Sequence, residues 1–328
     1  MMLAYTVRRI LVAIPLLIVS TFVVFLLVTF SGDPLAQLRT KQPPPTPQVI
    51  ANYRHMLRLD QPILLRYWHW ITGLLHGDFG PSVQGGGALN IGHELARRIV
   101  VSLRLVIAAI IIAMIIAVIV GVVSAVRQYT VTDYFLTFTG FLFLSLPIFW
   151  FALLLKEAAI WLNVHVGTRI QTLGESSPTV GPGFGNHFVD ALEHLILPTI
   201  ALALGTYAAW SRFNRGSMLE VLSSDYIRLA RAKGLRRSRV LVRHALRTAL
   251  IPFVTVTALD IAGLLSQTIV TETVFQWRGM GDFLFSAIKA LDVYAVLAWL
   301  LVAAIIVIVF NLIADLLYAV LDPRIRYE

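Results

Sequence analysis

Between Arg9 and Asp33 no charged residue interrupts the chain, and Ile10 to Phe30 is apolar apart from Pro15, Ser20, Thr21 and Thr29. At about 1.5 Å of rise per residue, a helical run of this length crosses about 30 Å of hydrocarbon. Further apolar runs recur at roughly 101–126, 135–160, 192–211, 250–271 and 295–319, separated by polar stretches. In lipid a backbone must satisfy its own hydrogen bonds, which leaves a helix as the reading of each run. A transmembrane barrel would show alternating segments of about ten residues, and the sequence has no such pattern. Only 14% of residues are charged, against about 25% in soluble domains. The expected fold class is therefore all-α, a polytopic membrane protein with about six transmembrane helices.

The first run follows Arg8 and Arg9, as a signal peptide would. Signal peptides, however, carry an apolar core of about 7–15 residues and then a small-residue cleavage site. This run is longer and leads into Ser31-Gly32-Asp33-Pro34, so it is expected to remain as a span. The fourth run contains Pro198 and Gly205, which transmembrane helices tolerate. Residues 33–98 are polar and punctuated by Pro43-Pro44-Pro45 and Gly85-Gly86-Gly87. Within them Leu64, Trp68, Ile71 and Leu75 recur at helical spacing, predicting a short amphipathic helix over Pro62–Leu75. The division expected from sequence is an N-terminal span over 1–32, an extracytoplasmic subdomain over 33–98, and a five-helix core over 99–328. The core includes a basic loop over 212–249.

That loop sets the orientation. Residues 212–247 hold ten arginines and lysines against Glu220 and Asp225 alone, a surplus of eight positive charges in a chain whose net charge is +9. Short basic loops stay cytoplasmic. With six spans both termini, including Arg324 and Arg326, then lie inside, and 33–98, 162–191 and 272–294 lie outside.

Several chemistries are excluded. A phosphate-binding loop needs Gly-Lys followed by Ser or Thr, and none of Lys41, Lys156, Lys233 and Lys289 has that context. The absence of cysteine removes disulfides and thiolate chemistry. The His69/His76 and His187/His194 pairs lack the spacing and acid of a zinc protease helix. No catalytic residue, metal site or cofactor is expected on this chain, and its basic character is read as membrane topology rather than nucleic-acid binding.

The segment Ser224-Asp225-Tyr226-Ile227-Arg228-Leu229-Ala230-Arg231-Ala232-Lys233-Gly234-Leu235 carries more information than its charge. Asp225 can begin a helix and Gly234 can end it with a positive φ. Tyr226, Leu229, Ala230 and Lys233 share one side, as a helix docking into a partner's groove would require. The alternative is a basic anchor on anionic lipid.

The stretch DYIRLARAKGLRRSRVLVRHALRTALIP resembles the cytoplasmic loop of the oligopeptide and dipeptide branch of binding-protein-dependent ABC importer permeases. LDQPILLRYWHWITGLLHGDFGPS (59–82), HLILPTIALALG (194–205) and NLIADLLYAVLDPRIR (311–326) are similar to the same branch. Arg228 and Leu229 depart from the general Glu-Ala-Ala…Gly pattern, whereas Ala230 and Gly234 match it. Arg278 and Met280 stand where Pro and Leu are usual, and Val100 lies near where a Pro is common.

The resemblance implies a type I importer permease fold and a coupling helix formed by Asp225, Tyr226, Arg228, Leu229, Ala230, Ala232, Lys233, Gly234 and Leu235. It also implies a second homologous permease, two cytoplasmic ATPase subunits that hold ATP and magnesium, and an extracytoplasmic solute-binding protein. The substrate would be an oligopeptide or dipeptide, with glutathione or a nickel chelate as alternatives. A standalone channel or secondary carrier would show internal repeats or broken midplane helices, and a receptor would carry a sizeable soluble domain.

Intramembrane ionisable residues are functional candidates by default. Arg104, Lys156 and Glu157 fall near span ends, where long side chains reach the headgroups. Asn311 and Asp315 fit packing or capping roles. Asp260 lies about 15 Å into the fifth span by helical rise. With Gly263 and Gln267 at +3 and +7 it forms a candidate wall of the substrate pathway, or else a helix–helix hydrogen bond to a partner permease. Reporter fusions after residues 60, 180 and 285 are expected outside, and those at 130, 230 and 328 inside. A fusion at 230 that reports outside would overturn the orientation.

Overall fold

The computed structural model describes residues 2–40, 42–43, 45–84 and 89–321. Among the described residues the regular structure is helical. In chain order the elements are α1 (Met2–Phe30), α2 (Ala36–Arg39), α3 (Pro47–Met56), α4 (Ile63–Leu74) and α5 (Ile91–Val126). They continue with α6 (Val131–Ser145), α7 (Ile148–His165), α8 (Phe184–Ser223), α9 (Asp225–Ala232) and α10 (Arg237–Arg239). A π-helical segment (Val240–Leu246) then precedes α11 (Arg247–Leu259), α12 (Ile261–Phe275), α13 (Met280–Lys289) and α14 (Val293–Leu321). Six helical stretches are long and apolar enough to cross a membrane, as the runs in the sequence require. Gly85, Gly86, Gly87, Pro44, Lys41, Arg324 and Arg326 lie outside the described residues, as does the side chain of Asp315.

Two of the runs are interrupted for identifiable reasons, while α5 and α8 extend beyond the runs at 101–126 and 192–211. The run at 135–160 is two helices, because Pro147 has no N–H to give and drives Leu146 into an extended conformation (φ −81°, ψ 127°). The run at 250–271 is interrupted at Asp260, whose ψ of −10° departs from helical geometry. Pro15, Pro198 and Pro252 sit inside helices that continue through them.

The chain forms two compact units that cut across the linear division at 32 and 98. Among the described residues, the first gathers those within 1–102 and 278–308, and the second those within 103–277 and 309–321. In the first, Phe25, Tyr67, Trp70, Leu95, Phe283 and Leu297 form a core to which α1, α4, α5, α13 and α14 all contribute. The Tyr67 hydroxyl donates to Ile18 O at 2.7 Å, and Trp70 Nε1 donates to Phe79 O at 3.1 Å. The buried face of α4 is therefore that of Tyr67 and Trp70, while Leu64, Trp68 and Leu75 of the periodic stripe are exposed. A water-soluble protein would not leave such a stripe open. Arg98 bonds Asp282 at 2.6 Å and Gly279 O at 3.2 Å. Met280 N donates to Ser102 Oγ at 2.7 Å, and Met280 is buried in this core. Asp292 is fully buried and accepts from Ser82 Oγ at 2.5 Å and Val83 N at 2.9 Å. Burial pushes its carboxyl above the usual carboxylate range, against the pull of those hydrogen bonds.

In the second unit α8 is the axis. Its 40 residues span about 60 Å by helical rise, and α6, α7, α11 and α12 all pack on it. It leads through the single residue Ser224 into α9.

Candidate functional site

The helix read from the basic loop exists over Asp225–Ala232. Ser224, extended at ψ 152°, occupies the cap position, and Asp225 is the first helical residue. An acid in the first turn still complements the helix dipole. At the other end Gly234 has φ +76°. Its N–H donates to Arg231 O at 2.9 Å and Leu235 N–H to Ala230 O at 3.4 Å, a paired closure that a left-handed glycine makes possible. Nothing lies within 4 Å of a Cβ built on Gly234, so backbone conformation, not space, dictates the glycine.

Ile227, which the sequence reading passed over, fixes the pose of this helix. It is fully buried in a core with Ala125, Met218, Val240, Ala245 and Ala249. Ala230 and Leu235 pack against the same core, whereas Tyr226 (45% exposed) and Leu229 (56%) point away from it. Arg228, Ala232 and Lys233 are exposed as well, and the Arg228–Asp225 contact at 3.5 Å is a solvated surface pair. The signal for Ile227 was available, since it is the one large aliphatic residue opposite Leu229 on a short helix. The stripe of Tyr226 and Leu229 drew attention because it is also apolar.

Asp260 occupies the joint between α11 and α12 and accepts a hydrogen bond from Trp210 Nε1 of α8 at 2.8 Å. The helix–helix hydrogen bond weighed for this carboxylate is thus made within the chain. Trp210 is buried and stands edge-on to Phe253 of α11. Two turns further along α12, Gln267 lines a cavity of about 260 Å³ with Phe143, Leu146, Phe151 and Gly205. Asp260 and Gln267 therefore both face α8. Gly263 is exposed, with nothing within 4 Å of a built Cβ.

The other ionisable candidates separate. Lys156 Nζ donates to Val274 O at 3.1 Å near the end of α12, a capping contact, while Arg104 and Glu157 are exposed. His194 is buried and donates through Nδ1 to Asp190 O at 2.8 Å within its own helix. No group of metal-ligating side chains is assembled among the described residues.

Six helical stretches long and apolar enough to cross a membrane, with an exposed and internally anchored short helix, are the features of a multi-pass membrane protein. Residues 116–327 match the model of the binding-protein-dependent transport system inner membrane component, and residues 2–102 match the model of that family's N-terminal region. The chain belongs to this family, whose fold is that of the type I importer permeases. It is 40% identical to the oligopeptide transport system permease protein OppB of Mycobacterium tuberculosis over 98% of both chains. It is 38% identical to the dipeptide transport system permease protein DppB of Escherichia coli K12 over the whole of both. Identity to the oligopeptide transport system permease protein AppB of Bacillus subtilis is 36%, over 99% of this chain and all of the relative.

The Trp210–Asp260 bond gives a specific expectation. Asp260→Asn keeps an acceptor for Trp210 and removes the charge, whereas Asp260→Leu removes both. If the residue serves only the α8–α12 joint, Asn retains transport and thermal stability and Leu loses both. Selective loss of free-amine substrates in the Asn variant, with stability intact, assigns Asp260 to the pathway.

Proposed function

We propose that this chain is the membrane-spanning permease subunit of an ATP-driven importer of peptides. On this reading α9 is the coupling helix that seats in a groove of a separate ATPase subunit. The observation that carries the reading is the division of labour on α9. Ile227 is sunk into the chain's own core while Tyr226 and Leu229, apolar and outward-facing, are exposed. An amphipathic helix presented this way suits insertion into a partner's groove. The names of the relatives support the substrate class, since they are oligopeptide and dipeptide transport system permeases.

The chain would act beside a second, homologous permease, with two cytoplasmic ATPase subunits and an extracytoplasmic solute-binding protein, and would carry no catalytic residue itself. ATP and magnesium would be held by the ATPases, and both termini would face the cytoplasm. ATPase closure would move α9 and, through α8, the helices around Asp260 and Gln267, which would form part of the peptide's path.

Gly234 tests the reading. Valine at this position cannot adopt φ +76° without strain of about 1 kcal/mol or more. Asparagine tolerates that conformation. Gly234→Val is expected to insert in the membrane yet lose ATPase co-purification and peptide uptake, and Gly234→Asn to keep most of both. Equal ATPase association and uptake in the valine variant would favour the lipid-anchor alternative.

A further inference from the structure

Any force on α9 reaches α8 directly, because one residue separates them and Ile227 packs on Met218 of α8. What α8 carries with it depends on how its neighbours are held. Against α5 the hold is steric. A Cβ on Gly121 would meet Asn214 Nδ2 at 2.7 Å and Ser211 O at 2.9 Å, and Asn214 Nδ2 donates to Val118 O at 3.3 Å.

The hold on α6 is of a different kind. Its only buried residues are Asp133 and Gly140, and no atom lies within 4 Å of a Cβ built on Gly140. Phe135, Phe138, Phe141 and Leu142 are all exposed. Towards the C-terminal end of α6, Phe143 stands edge-on to Tyr207 of α8, with ring centroids 6.0 Å apart. At the N-terminal end the hold is the Asp133 carboxylate. Arg215 of α8 reaches it twice, from Nη2 to Oδ2 at 2.8 Å and from Nε to Oδ1 at 3.0 Å. Ser124 of α5 donates to Oδ1, and the Tyr129 N–H of the intervening turn donates to Oδ2 at 3.0 Å. Arg212, three positions earlier on α8, lies 4.9 Å over the Phe141 ring. A bidentate guanidinium–carboxylate pair fixes both distance and angle. Such a pair, with its carboxylate buried and its guanidinium partly exposed, specifies geometry more than it adds net stability.

We propose that Asp133 and Arg215 are positioning residues for transport. Their pairing makes α6 move as one body with α8 and the coupling helix, so that ATPase closure reaches the far end of α6. That far end is the Leu146–Pro147 break, which lines the cavity shared with Gln267. The inference rests on the coupling role proposed for α9.

A chain without native cysteine permits a direct test. Spin labels are placed on Ser145→Cys and Ser223→Cys, at the far end of α6 and the α9 end of α8, in the complex assembled with its ATPases. In the otherwise unmodified chain the interspin distance is expected to be the same without nucleotide and after ATP–vanadate trapping. In Asp133→Asn it is expected to shift or broaden on trapping, with ATPase co-purification retained. Uptake of a labelled tryptic casein digest per ATP hydrolysed is expected to fall about tenfold, within the range of allosteric couplings. The double variant Asp133→Asn/Arg215→Gln should be no worse than either single one, as for residues acting as a unit.

A distance that changes with nucleotide in the unmodified chain as much as in the variant overturns the proposal. So does uptake that falls only in step with the yield of assembled complex. Should Asp133→Asn fail to assemble, Arg215→Lys and Ser124→Ala decide: partial uncoupling in both supports the link, and normal coupling in both overturns it. Loss of ATPase binding in Gly234→Val, alongside normal coupling in Asp133→Asn, would sink the link and leave the coupling role of α9 standing.

Discussion

A backbone that crosses hydrocarbon has to satisfy its own hydrogen bonds, and at two places in this chain a side chain from a neighbouring helix engages an irregular joint or helix end. At Asp260, where α11 gives way to α12, the indole of Trp210 engages the carboxylate. Near the end of α12 the Lys156 ammonium takes up the Val274 carbonyl. At the Pro147 break no such clasp is made. Instead a cavity opens, walled by aromatic rings and the Gln267 amide. Irregular backbone at membrane depth is tolerated where protein covers it or a water-filled path runs beside it. The cavity beside the Pro147 break is covered by protein in this way.

The same economy governs the end of α8. Eight surplus charges on residues 212–247 hold that region at a polar surface. The shape of α9, however, comes from Ile227 below and the left-handed Gly234 at its end. Charge sets which side of the membrane the helix occupies, and packing sets which of its faces is offered. Arg215 joins the two effects. It is one of the loop's basic residues, but it turns inward to Asp133 and ties the α5–α6 turn to α8.

Much of this was legible in the sequence because lipid simplifies the code. Apolar run length matched the count of six spans but not the bounds of the third and fifth, and a single glycine after Ala-x-Ala-x marked the end of α9. What stayed hidden depended on partners distant in sequence. Nothing local distinguishes the Tyr67/Trp70 face of α4 from the Leu64/Trp68 face, since both are apolar; only docking against Phe22 and Phe25 chooses between them. Asp133 reads as an ordinary helix-start acid after Thr130, and its pairing with Arg215 spans 82 positions. Asp260 was conspicuous as a lone carboxylate in an apolar run, yet its partner, a tryptophan, carries no charge by which a sequence search for ion pairs would find it.

The coupling role of α9 is tested most directly by photo-crosslinking from single positions on that helix in the assembled transporter. A photoreactive residue replacing Tyr226 or Leu229 is expected to capture an ATPase subunit, identifiable by its phosphate-binding loop peptide. The same residue replacing Ile227 is expected to crosslink within this chain. Capture of lipid alone from Tyr226 and Leu229, with no ATPase adduct, would contradict the account.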